Sequence, residues 1–204
     1  MRALLLQRIV VQKWAILFAI TVCFVLYFIR LSIVDSPSIG LFVVVVSATL
    51  VENLYKGDRQ VKWELYVNSL PLSKKIQLQS DFLFCYGFIS GLFILIAPLY
   101  FSQSETSENF IEHCAMYFGF ISSAFFLLCS QFYIQQLEET EKMRNLRMFI
   151  AIVLIMLLNS VIHFYLSLVA GNLFILLIPT LISIISSFVI FQKCLHLFMS
   201  REIF

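Results

Sequence analysis

Charge is scarce in this chain. Only 13% of its 204 residues are Asp, Glu, Lys or Arg, against about 25% in soluble domains. A water-soluble fold of this composition would have too little polar surface to cover its core, so that class is excluded. There are only four prolines and six glycines, which leaves no Pro- or Gly-rich linker and no low-complexity tract. Five cysteines fit neither a metal-ligand spacing nor a disulfide framework. No GxxxxGK[ST] phosphate loop occurs, so ATP hydrolysis by that route is excluded. No basic stripe with interleaved aromatics exists either, which argues against nucleic acid as a partner. We expect no catalytic centre, no bound cofactor and no metal.

What is present is apolar sequence in long runs. Hydrophobic residues make up 61%, mean hydropathy is +0.94, and Phe alone contributes 22 residues. A membrane-crossing helix needs about 20 apolar residues. The runs predict an all-α membrane protein with six spans, near residues 14–33, 38–55, 82–101, 110–133, 148–169 and 173–198, as one transmembrane domain over 1–204. The first run is too long for a signal-peptide core and is read as a retained span. The β-branched run Val43–Val46 is read as helix, because an open strand in lipid leaves its backbone unsatisfied. The last run contains Pro179 and is compatible with one long kinked span or with a short re-entrant hairpin followed by a span. Before the first span, Leu4, Leu5, Leu6, Ile9 and Val10 alternate with Arg2, Gln7, Arg8 and Lys13 at helical spacing. That pattern predicts an amphipathic helix lying on the membrane surface, with Trp14 anchoring the span that follows.

Thirteen of the 14 Lys and Arg fall on one side when the runs are numbered from an inside N-terminus; Arg30 is the exception. Cytoplasmic loops carry the Lys/Arg excess. The expected arrangement is a multi-pass protein of the cell membrane with both termini cytoplasmic.

The most informative segment is 56–81, KGDRQVKWELYVNSLPLSKKIQLQSD. Trp63, Leu65, Tyr66, Val67 and Leu70 are apolar, yet the segment is too short and too charged to cross a bilayer. Pro71 stops a helix that begins before it, and Ser73 is placed to N-cap a helix running into span three. The string Trp63-Glu64 … Asn68-Ser69-Leu70-Pro71-Leu72-Ser73-Lys74-Lys75 resembles the SLP-hydrophobic-S-basic-basic stretch of small ABC-2 type transporter permeases, type V exporter-like proteins of about this length. Within them it looks most like Gram-positive permeases that export amphipathic peptides such as phenol-soluble modulins, or that give bacteriocin immunity. Where such permeases carry a Lys-Tyr pair at the start of span three, this chain reads Gln79-Ser80-Asp81-Phe82.

The resemblance implies an ATP-driven exporter of amphipathic or hydrophobic peptides, with a role in antimicrobial peptide resistance. It implies a coupling segment over 56–80, in which Trp63, Glu64, Tyr66, Leu70, Pro71, Ser73 and Lys74 meet a separate ATP-binding subunit. ATP and Mg would sit on a dimer of that subunit, and a second permease copy, identical or paralogous, would complete the path. Two other functions stay open: a membrane immunity protein that sequesters a toxin without transport, and an intramembrane CAAX-type protease. The last is suggested by Glu138-Glu139 and Arg144, although its EExxxR spacing would need Arg where Met143 stands. Inside the spans, Asn159 and His163 lie four apart on one helical face. They either line a translocation path or hold helices together by hydrogen bonds. Gly87 and Gly91 form a small-xxx-small pair that permits close helix approach.

Overall fold

The computed structural model describes residues 2–30, 36–60, 73–101, 107–137, 140–169 and 173–200. Among these the chain forms seven helices and no strand: α1 (Arg2–Val11), α2 (Lys13–Arg30), α3 (Ser36–Gln60), α4 (Lys74–Phe101), α5 (Ser107–Gln135), α6 (Glu141–Val169) and α7 (Leu173–Ser200). Helices α3 to α7 each contain a stretch long and apolar enough to cross a membrane, from Ile39–Arg59 to Leu177–Ser200. The pair α1 and α2 passes the same test only together, and is bent by 67° between them. The count is five spans, or six if that bent pair is one span.

The helices overrun the expected spans, chiefly at one end. α3 continues five residues past Tyr55, α4 begins at Lys74, and α6 begins at Glu141. At 1.5 Å per residue a helix of this length reaches about 40 Å, beyond a hydrocarbon core of about 30 Å. Helical backbone bonds cost nothing to continue into the headgroups, so the boundary of the apolar run does not end the helix. Pro37 falls in the first turn of α3, where its missing N–H has no partner to lose. Ser73 stands before α4, and its hydroxyl accepts a hydrogen bond from the Ile76 N–H at 3.3 Å; it is the N-cap the sequence indicated. α7 runs unbroken through Pro179, so the last apolar run is one helix and the re-entrant alternative is set aside.

The core lies where α3, α4, α5 and α7 meet. Val43, Val51 and Leu54 of α3, Ile89 and Ile96 of α4, and Leu127, Leu128 and Phe132 of α5 are fully buried. Phe82 stacks on Phe132 with ring centroids 3.9 Å apart and meets Phe191 edge-on at 4.9 Å. α2, α6 and α7 carry long exposed apolar faces, such as Phe18 and Phe24, Leu157 and Leu158, and Ile185 and Phe188. In water these would be a severe cost; in lipid they are the ordinary solvent-facing side.

Among the described residues, no helix packs closely on the glycine pair. A Cβ added at Gly87 or Gly91 meets nothing within 4 Å. α4 turns Phe82, Cys85, Ile89 and Ile96 inward, and both glycines lie on the exposed arc. The small-residue seam is instead between α5 and α7. Thr180, Ser183 and Ser187 of α7 are buried, and the Thr180 hydroxyl donates to the Phe118 carbonyl of α5 at 3.3 Å. Small side chains let backbones approach, and hydroxyls bond across or back to their own helix.

Candidate functional site

The end of the bundle where α3 finishes and α4 begins holds a buried charged joint. Arg8 comes from α1, Asp58 from the last turn of α3 and Asp81 from the third turn of α4. Their exposures are 3%, 7% and 3%. The guanidinium forks twice. Nη1 and Nη2 donate to the two carboxylate oxygens of Asp58 at 2.5 and 2.7 Å. Nε and Nη2 donate to those of Asp81 at 2.7 and 3.2 Å. Planar, bidentate pairing of this kind is available to Arg and not to Lys. Burial alone would lower the Arg8 pKa; the bonds and charges of Asp58 and Asp81 more than reverse this, and the group ends above its ordinary value. Two carboxylates against one guanidinium leave a net charge of −1 on the three side chains.

The joint sets the orientation of α1. Leu4 and Arg8, one helical turn apart, face the protein, while Leu6, Ile9, Val10 and Val11 are exposed. The one charged residue in the middle of the helix is therefore its anchor, and its apolar residues are left for lipid. An alternating pattern defines a polar and an apolar face but not which of them meets protein, so the sequence alone did not reveal this. The signal that was available is Asp81, an acid at the very edge of span three where such permeases carry a Lys-Tyr pair; an acid that close to the hydrocarbon is expected to have a partner.

Around the joint lies a layer of amide bonds. Gln136 donates to the Tyr55 hydroxyl at 2.8 Å. Gln131, buried in α5, donates to the Ala48 carbonyl. The Gln135 carbonyl oxygen accepts from Arg59 of α3 and from Arg144 of α6, the latter at 3.3 Å. α1, α3, α4, α5 and α6 are thus tied together at one end. It is the same end at which Lys56, Arg59, Lys75, Lys142, Arg144 and Arg147 stand near helix termini. Lys56 lies 3.8 Å from Glu52, one turn back on α3.

Of the residues expected to couple to a partner, Trp63, Glu64, Tyr66, Leu70 and Pro71 lie outside the described residues. Ser73 caps α4, and Lys74 is its first residue. Residues 61–72 are strung between Gln60 and Ser73, so Arg8 grips the helix on either side of them. Glu138 and Glu139 also lie outside the described residues.

Within the membrane the buried amide of Asn159 is the polar feature. Its Nδ2 donates to the Ile155 carbonyl at 3.1 Å, and its Oδ1 accepts from Ser122 of α5 at 3.3 Å. Asn159 borders two cavities. One, of about 270 Å³, runs between α5 and α6 from Glu112 past Phe120 and Ser123. The other, of about 250 Å³, is lined by Phe126, Ile178 and Pro179 among others. Asn159 bonds across the α5–α6 pair and also faces space. His163 stands one turn further along α6, with its side chain outside the described residues. All five cysteines are free and buried, as small apolar groups, and no cluster of three or more His, Cys, Asp or Glu fit to hold a metal occurs among the described residues.

A family model described as ABC-2 family transporter protein matches residues 3–200. No curated protein and no solved structure matches the chain. The match covers all seven helices apart from one residue. The chain belongs to the ABC-2 transporter family and is a multi-pass membrane permease, a transport subunit that is not itself catalytic.

Proposed function

We propose that this permease is the membrane subunit of an ATP-driven exporter, that its cargo is an amphipathic or hydrophobic peptide, and that residues 56–80 couple it to a separate ATP-binding subunit. One observation carries the reading: a transporter-family chain, matched over residues 3–200, has no phosphate-binding loop in its sequence, so its energy arrives from another polypeptide. The segment best suited to receive that polypeptide is 61–72, with Trp63, Tyr66 and Leu70 as aromatic and aliphatic anchors and Arg8 holding both of its flanks. The Lys/Arg excess places this end in the cytoplasm of the cell membrane, where ATP is available. ATP and Mg belong to a dimer of the partner subunit. Two permease copies, identical or paralogous, enclose the path, with Asn159, His163 and the cavities beside them as the polar stations along it. Charge-poor cavities walled by Phe, Met and Ile favour apolar cargo over sugars or ions, which supports a role in peptide export and antimicrobial peptide resistance.

Co-purification from the native membrane tests the docking. The wild-type chain should carry an ATP-binding-cassette subunit through mild-detergent purification. Trp63→Ala with Tyr66→Ala should lose it while still accumulating in the membrane. Equal recovery of the ATPase with the double variant would refute docking at this segment.

A further inference from the structure

Arg8 is a single side chain that closes two bidentate ion pairs, one on each of the two helices that carry residues 61–72. Asp58 is two residues from the end of α3, and Asp81 is seven residues into α4. Without a cross-brace, two helix ends joined by a 12-residue connection would take up a push on that connection by splaying. With it, the ends are held one guanidinium apart. The brace is also the polar side chain by which α1 is seated, since α1 buries Leu4 and Arg8, packs Leu5 against the core and leaves Leu6, Ile9, Val10 and Val11 exposed. Beyond α1 the chain bends by 67° into α2.

We infer that Arg8 is a positioning residue that makes α1 and both flanks of residues 61–72 one rigid unit, so that displacement of that segment is passed to α1 in the membrane surface and to α2 behind it. The charge count supports a mechanical part over a mere filler of space. Three well-packed apolar groups would hold the same helices at least as stably, but they would allow sliding. Two forks on one planar group fix direction as well as distance. The use of this unit in transport rests on the proposal that residues 61–72 receive the ATP-binding subunit; the rigidity itself does not.

Spin-label distances in lipid nanodiscs test the rigidity. Labels go on cysteines introduced at Ala3 of α1 and at Ser73, both exposed, with a control pair at exposed Thr49 of α3 and Tyr133 of α5. The unsubstituted chain, whose five cysteines are buried, sets the labelling background. The wild-type Ala3–Ser73 distribution should be narrow. Arg8→Gln should broaden it several-fold and leave the Thr49–Tyr133 distribution unchanged. An unchanged Ala3–Ser73 distribution, or equal broadening of both pairs, overturns the inference. If Arg8→Gln does not accumulate, Arg8→Lys takes its place, because it keeps the charge and loses the double fork; broadening supports the joint and its absence overturns it. The transport arm uses inside-out vesicles and a fluorescein-labelled amphipathic helical peptide. Arg8→Lys should lower the peptide moved per ATP hydrolysed while co-purification of the ATP-binding subunit stays as in wild type, and an unchanged ratio overturns the relay. Failure of the Trp63/Tyr66 experiment with a narrow, Arg8-dependent distribution would refute the docking site and leave the joint standing.

Discussion

Arg8 illustrates what a charged residue costs and does when it leaves the headgroups. Removing one member of a buried ion network leaves the others uncompensated, at about 3–5 kcal/mol, whereas replacing every member by apolar groups is often neutral or stabilising. Arg8→Met alone should therefore lower the thermal unfolding midpoint in detergent markedly. The triple substitution Arg8→Met, Asp58→Leu, Asp81→Leu should recover much of that loss. If the single variant melts with wild type, the three side chains are not a network. The joint was half legible in the sequence. Asp81 broke the expected Lys-Tyr pattern at the edge of span three, but Arg8 sits in a basic segment whose charges are ordinarily assigned to lipid headgroups, and Asp58 sits among Lys56, Arg59 and Lys62, any of which is nearer in sequence. Contacts separated by 50 and 73 residues cannot be read from local pattern. Asn159 was legible as an intramembrane polar group, and its partner Ser122 was not, since the neighbouring Ser123 offers the same chemistry one position on.

At the scale of helices, hydropathy predicts which segments cross, because lipid excludes every other backbone arrangement. It does less well at their ends, where helix continues into a region that tolerates it. It also misplaced the tight seam. Gly87 and Gly91 have the expected spacing, but spacing is equally satisfied on a lipid-facing arc; Thr180, Ser183 and Ser187 of α7 form the seam with less conspicuous side chains. The two sites make opposite predictions. Gly91→Ala should stabilise the chain by about 0.5–1 kcal/mol through lower unfolded-state entropy in a helix interior, since a Cβ there meets open space. Ser183→Leu, fully buried in the seam, should lower stability by about 1–3 kcal/mol through overpacking. Unfolding in mixed micelles reads both, and a destabilised Gly91→Ala would show that α4 packs a helix on that arc.

For the molecule as a whole, the described helices divide the labour between two ends and a middle. The middle is a packed cluster of α3, α4, α5 and α7 with small cavities against α6, and the basic end is bound together by an arginine, two aspartates and a row of glutamines. Such an arrangement ties the basic end together by polar bonds while leaving most of the apolar surface of α6 and α7 exposed. The central claim is that the segment held at the basic end, residues 61–72, receives an ATP-driven partner. Photocrosslinking in native membranes tests it most directly, with p-benzoylphenylalanine in place of Tyr66 and mass spectrometry of the adducts. The account predicts a covalent product with an ATP-binding-cassette subunit; adducts to lipid or to this chain alone would contradict it.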